Sequence, residues 1–176
     1  MSAIKPRTKT PDMEVQIAGN GGWQLSNQTP ENFTLVVVYR GLHCPICRPY
    51  MAELNRLADD FAKLGVEVIG VSTDGDERAQ TAKEEWKLDR IRVGYDLSIE
   101  SARSWGLNIS TSRGKTSIGI EEPELFSEPG IFLVTPEQTL YASVVSTMPF
   151  ARPHFKDILG AVQFIVDKGY PARGEA

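Results

Sequence analysis

The sequence predicts an α/β fold, a central mixed sheet flanked by helices, with a β-hairpin extension at the N-terminus. Three observations carry this reading. Apolar, β-branched runs at 33–39, 66–71 and 91–95 alternate with stretches of helical period, the pattern of parallel strands joined by crossover helices. Two later apolar runs are separated only by Thr135, Pro136, Glu137 and Gln138, a tight turn that adds an antiparallel pair. At 176 residues, with 41% hydrophobic and 24% charged residues, the chain suits one soluble domain that needs no metal or disulfide scaffold to fold.

In order along the chain, 1–12 reads as a mobile N-terminal arm, 13–170 as the single domain and 171–176 as a C-terminal tail. Glu14 to Ala18 alternates polar and apolar, Gly19 to Gly22 is a turn cluster, and Trp23 to Leu25 returns as a second short strand. Phe33 to Tyr39 is a nearly unbroken apolar run, as expected of a central strand buried on both faces. Cys47, Met51, Leu54, Ala58, Phe61 and Leu64 then recur at helical spacing, and Gly65 supplies the stop. Val66 to Val71 is a second buried strand. Asp74 followed by Glu77 resembles a capping box that opens a helix through about Leu88. Ile91 to Tyr95 is a third strand, and Asp96 or Ser98 caps a short helix to Trp105, ended by Gly106. Asn108 to Glu128 shows no period and is too long for an ordinary connection, so it is either a functional loop or a local insertion. Strands at Ile131–Val134 and Leu140–Val145 precede a final helix from about Arg152 to Lys168, with Phe155, Ile158, Leu159, Val162, Ile165 and Val166 on one face.

A net charge of −4 gives no nucleic-acid or anionic-membrane footprint. No stretch approaches the ~20 apolar residues that span a bilayer. Met1 to Met13 carries Lys5, Arg7 and Lys9 but no apolar core of a signal peptide. The expected location is therefore the reducing cytoplasm, where a lone C-x-x-C is more often catalytic than structural.

The two cysteines of the chain fall in the run from Tyr39 to Arg48, three residues apart, where the first long strand hands over to the first long helix. A thiol at a helix start is favoured as a thiolate by unpaired N–H groups and the positive end of the macrodipole. Pro45 suits the first helical position, which places Cys44 at the helix start as nucleophile and Cys47 one turn in as its resolving partner. A structural zinc site wants about four Cys or His ligands. His43, Cys44, Cys47 and His154 are all the chain offers, and two of these are adjacent. Two inert buried thiols are a second alternative. A permanent disulfide over so short a loop constrains the unfolded chain little. Arg40, His43 and Arg48 flank the pair as supporting candidates, each placed either to lower the Cys44 pKa or to sit as an exposed surface charge. Of the three, His43 is expected to give the pH-dependent effect. Arg113 and Lys115 lie in the long aperiodic segment with no spacing argument to place them at the thiols.

With a redox pair at the start of its first long helix, the chain resembles the thioredoxin-fold superfamily, and within it peroxiredoxins of the alkyl hydroperoxide reductase and thiol-specific antioxidant family. The likeness runs from about Trp23 to Lys168 and rests on Tyr39 to Cys47, on "VEVIGVSTD" (66–74) and on "YDLSIESARSWGL" (95–107). Cys44 followed by Pro45 matches the family's peroxidatic position. Gly41 stands where peroxiredoxins usually carry Thr or Ser, and Pro129 where they usually carry Arg. Pro129 instead resembles the cis-proline that thioredoxins set opposite their C-x-x-C. It is expected to have a cis bond with Glu128 and to pack on the cysteine pair. The resemblance implies a thioredoxin-like fold and a thiol-dependent peroxidase that reduces hydrogen peroxide or organic hydroperoxides through Cys44, with Cys47 resolving. It implies no cofactor or metal, an external dithiol reductant such as a thioredoxin- or glutaredoxin-like protein, and a homodimer, the state peroxiredoxins commonly adopt. The alternatives are a thiol–disulfide oxidoreductase with no peroxide step and a non-catalytic binding or zinc-stabilised module on the same fold.

Overall fold

Phe33 to Val38 forms a strand buried at every position, and the rest of the molecule is arranged around it. The computed structural model describes residues 4–176. Its strands are β1 (Glu14–Ile17), β2 (Gly22–Gln24), β3 (Phe33–Val38), β4 (Val66–Val71), β5 (Arg92–Tyr95), β6 (Ile109–Thr111), β7 (Leu125–Ser127), β8 (Gly130–Val134) and β9 (Leu140–Val145). Its helices are α1 (Cys47–Lys63), α2 (Asp76–Glu85), α3 (Ile99–Ser104) and α4 (Phe155–Lys168). Seven strands make one mixed sheet in the order β2-β1-β5-β4-β3-β8-β9, with β3, β4 and β5 parallel and the rest antiparallel. The N-terminal hairpin joins this sheet through β1 and β5.

Side chains alternate across a strand, so β3 feeds two cores. Leu35 and Val37 pack with Met51, Leu54 and Phe61 of α1, Ala79 and Ala82 of α2, and Phe155 and Val162 of α4. Val36 and Val38 pack on the other face with Trp105, Ala102 of α3, and Met13, Val15 and Trp23 of the N-terminal hairpin. Helices therefore cover both faces, as the alternating sequence pattern predicts.

Four local expectations are corrected. Residues 7–10 are not a free arm: Arg7 N–H donates to Leu140 O at 2.7 Å, Leu140 N–H to Thr8 O at 2.9 Å, and Thr10 N–H to Gln138 O at 3.0 Å. The segment satisfies backbone groups that the edge strand β9 would otherwise leave open. Residues 1–3 of that arm lie outside the described part. Helix α1 begins at Cys47, two residues after the expected start at Pro45, because 41–46 forms a turn of its own. Helix α2 begins at Asp76 behind Gly75, with no side-chain cap, since the Asp74 carboxylate is engaged elsewhere. Helix α4 begins at Phe155, leaving Arg152 in the preceding loop. At α3 the open choice of cap falls to Ser98, whose hydroxyl accepts from Ser101 N–H at 3.0 Å. The aperiodic segment is a folded excursion: β6 pairs with β7, and Lys115 bridges to Glu121.

Candidate active site

The cysteines sit in a turn whose shape is set by a glycine and a buried acid. Gly41 has φ +126°, a conformation that favours glycine, and a Cβ there would fall 2.6–2.8 Å from all three carboxyl atoms of Asp74. Asp74 occupies that space because it accepts Leu42 N–H at 2.7 Å and Arg78 Nε–H at 2.8 Å. The turn closes with Cys44 N–H on Gly41 O at 3.1 Å. Cys47 N–H then donates both to Cys44 O at 3.1 Å and to Cys44 Sγ at 3.3 Å. Cys44 thus stands one turn ahead of α1, with the first N–H of the helix aimed at its sulfur.

Both thiols are free and fully buried. Their environments split their acidities. The Cys44 thiol is lowered to about 7, chiefly by the hydrogen bond from Cys47, helped by the Cys47 backbone N–H and the charges of Arg40 and Arg152, against the cost of burial. Burial first, and then the neighbouring Cys44 sulfur, push the Cys47 thiol well up, with Arg152 pulling the other way.

Of the supporting residues, Arg40 does approach the site. It leaves the end of β3 to meet Glu128 at 3.2 Å and Glu122 at 3.4 Å, and its guanidinium lies 4.8 Å from the Phe126 ring centre. His43 does not act as a cation. It is fully buried, edge-on to Phe126 at 4.7 Å, with Nδ1 3.2 Å from Arg78 Nη2. Burial, then Arg40 and Arg78, lower its pKa to about 3, so it stays neutral and brings no charge to Cys44. Arg48 is an exposed surface charge that donates to Glu85 O at 3.0 Å, beside the end of α2. Pro129 is corrected too: no cis peptide bond occurs among the described residues. The Glu128–Pro129 bond is trans, the form most X–Pro bonds take in folded proteins, and Glu128 N–H donates to Asn108 O at 2.8 Å while its carboxylate meets Arg40 and accepts from Ser110. Arg113 and Lys115 are exposed in the excursion. Among the described residues no three Cys, His, Asp or Glu side chains converge as a metal site, and His154 faces Glu53 at 3.9 Å with a largely exposed ring.

A model of the AhpC/TSA family matches residues 6–143. The chain belongs to the AhpC/TSA family. It is similar to the 1-Cys peroxiredoxin of Onchocerca volvulus, 26% identical over 154 residues, covering 82% of this chain and 61% of that one. It therefore spans less than two thirds of that relative's length. Among solved structures it is similar to peroxidoxin BcpB of Mycobacterium tuberculosis, 19% identical with a TM-score of 0.71 over 92% of this chain and 98% of that one. Peroxiredoxin 6 of Arenicola marina gives 18% identity and a TM-score of 0.75 over 93% of this chain and 74% of that one. These structures share the thioredoxin-like fold.

The glycine at position 41 has a structural reason, since the Asp74 carboxyl occupies the space a side chain there would need. Several residues at this site escape sequence reasoning. Arg152 Nη1 lies 3.7 Å from Cys47 Sγ, and its guanidinium stacks 3.9 Å from the Tyr50 ring centre. Asp74, Arg78, Glu122, Phe126 and Glu128 complete the surround of the turn. A faint signal for Arg152 is a lone arginine in an apolar, proline-flanked stretch, Pro149 to Pro153.

Proposed function

We propose that this AhpC/TSA-family protein is a thiol-dependent peroxidase acting on hydrogen peroxide or organic hydroperoxides, with Cys44 peroxidatic and Cys47 resolving. The observation that supports it best is the split between two adjacent sulfurs, one lowered to about 7 beneath the Cys47 N–H and the other pushed up by burial. In the cycle, the Cys44 thiolate attacks one peroxide oxygen and the O–O bond breaks. The second oxygen leaves with its electron pair and takes a proton as water or alcohol, leaving a Cys44 sulfenic acid. Cys47 sulfur then attacks Cys44 sulfur, and the sulfenic oxygen leaves as water with the Cys47 proton. An external dithiol, for which a thioredoxin- or glutaredoxin-like protein is the natural class, reduces the disulfide. Arg40, through its charge, is the supporting residue retained from the sequence; His43, Arg48 and Pro129 are not assigned a part.

No helix among the described residues is long and apolar enough to cross a membrane. We assign the protein to the cytoplasm on the reducing environment its dithiol needs, and we propose a homodimer through the edge strand β9, where Val144, Val145 and nearby Met148 are exposed. The second reading, a thiol–disulfide oxidoreductase without a peroxide step, is favoured by Gly41, which offers no hydroxyl to orient a peroxide. Stopped-flow mixing of reduced protein with hydrogen peroxide tests the choice. A second-order rate far above that of free cysteine at the same pH supports the peroxidase, and a rate no faster selects the oxidoreductase.

A further inference from the structure

Beyond the cysteines, one cluster at the start of α1 is built more carefully than packing requires. Arg152 comes from the loop before α4 and sends Nη1 to Cys47 Sγ at 3.7 Å and Nη2 to Ile46 O at 3.5 Å. Its guanidinium lies over the face of Tyr50 at 3.9 Å, while the Tyr50 hydroxyl donates to Pro153 O, the next residue along the loop, at 2.6 Å. Tyr50 therefore meets this loop twice, with its ring against the Arg152 guanidinium and with its hydroxyl on the carbonyl of the next residue. The Arg152 Nε is buried without a partner, so the side chain is kept in this pose at some cost.

We propose that Arg152 is the group that stabilises the Cys47 sulfur as leaving group when the Cys44–Cys47 disulfide is reduced, and that Tyr50 is the residue that positions it. The inference rests on the disulfide of the proposed cycle. In the step, a thiolate of the external dithiol attacks Cys44 Sγ, forming a mixed disulfide, and the Cys44–Cys47 bond breaks with its electron pair going to Cys47 Sγ. That sulfur then takes a proton from the reductant's second thiol, which in turn attacks the reductant's own sulfur in the mixed disulfide and releases Cys44 as thiolate. A leaving thiolate must form at Cys47, the less acidic of the two sulfurs. A charge-assisted N–H···S contact there acts where the barrier lies. Arg40 does not duplicate it, being engaged by Glu122 and Glu128.

The test uses the full chain, oxidised with diamide to the intramolecular disulfide and then reduced by excess dithiothreitol at pH 7, the thiols being alkylated and counted by mass spectrometry over time. Arg152→Met is expected to slow cleavage by about tenfold or more, the effect of one hydrogen bond to a charged group. Arg152→Lys recovers part of the loss. Tyr50→Phe, which keeps the ring under the guanidinium but releases Pro153, falls between Arg152→Met and wild type. Iodoacetamide alkylation of Cys44 in the reduced variants, a step in which Cys47 does not leave, falls by a smaller factor, and this split is what a merely structural role would not produce. Arg152→Lys and Tyr50→Phe carry the test if Arg152→Met does not fold by circular dichroism. Cleavage at the wild-type rate in the folded variants, or Arg152→Lys no better than Arg152→Met, overturns the inference and leaves the peroxidase reading standing. Failure of the wild type to form the disulfide with either diamide or peroxide overturns both.

Discussion

Placing a hydroxyl side chain at position 41 is expected to damage this protein rather than improve it. In Gly41→Thr, the new Cβ arrives 2.6–2.8 Å from the Asp74 carboxyl atoms, at a backbone φ of +126°. Holding a β-branched residue in such a conformation costs on the order of 1–3 kcal/mol. Moving Asp74 aside loosens its bonds to Leu42 N–H and Arg78, each a hydrogen bond to a charged group and worth about 1.5–3 kcal/mol. The total is about 3 kcal/mol or more. In a domain of this size that lowers the Tm by about 6–12 °C, readable by circular dichroism or differential scanning calorimetry. Because the Cβ itself is the cause, Gly41→Ala is expected to lose nearly as much. A Gly41→Thr protein that melts within about 2 °C of wild type and reacts faster with peroxide refutes the argument that Asp74 has taken that space.

Other perturbations separate the charges around the turn. Alkylation of Cys44 by iodoacetamide is expected to rise with pH about a midpoint near 7, below the ~8.5 of free cysteine, since the lowered thiol is protonated and unreactive only below that midpoint. His43, held neutral with a pKa of about 3, is expected to show no imidazole titration by NMR between pH 5 and 8. Arg40→Met leaves Glu122 and Glu128, with side chains only 8% and 5% exposed, without their cation, and is expected to cost about 3 kcal/mol in chemical denaturation while raising the Cys44 midpoint. Arg48→Met, on the surface, is expected to change stability by less than about 0.5 kcal/mol and to leave that midpoint alone.

The sheet was legible because its signal is local. A strand such as 33–38, apolar at nearly every position, has to be buried on both faces, and the alternation of such runs with helical stripes leaves few topologies open. The cysteine pair was legible for the same reason, as two thiols in one turn of chain. The surround was not, because its members meet across long sequence separations: Arg152 lies 105 residues from Cys47, and Phe126 and Glu128 arrive from an excursion with no periodic pattern. Arg48 misleads by adjacency, since a helix turns about 100° per residue and carries the neighbour of Cys47 round to another face. Asp74 and Glu77 fit the spacing of a capping box, but Gly41 had opened a space that drew the carboxylate across to Leu42 N–H and so moved the start of α2. The bond at Pro129 is trans, as most X–Pro bonds in folded proteins are, and a proline's place in the sequence does not by itself set its isomer.

The most direct measurement of the central claim is the fate of Cys44 in Cys47→Ser after a stoichiometric pulse of hydrogen peroxide in the presence of dimedone. With the resolving sulfur gone, the sulfenic acid has no partner and is trapped. One dimedone adduct per chain is expected, located at Cys44 by peptide mass spectrometry, while the wild type under the same pulse gives the Cys44–Cys47 disulfide and little adduct. Absence of any adduct at Cys44 in Cys47→Ser, in protein whose reduced wild type still exchanges with disulfides, contradicts the peroxidase and leaves the oxidoreductase.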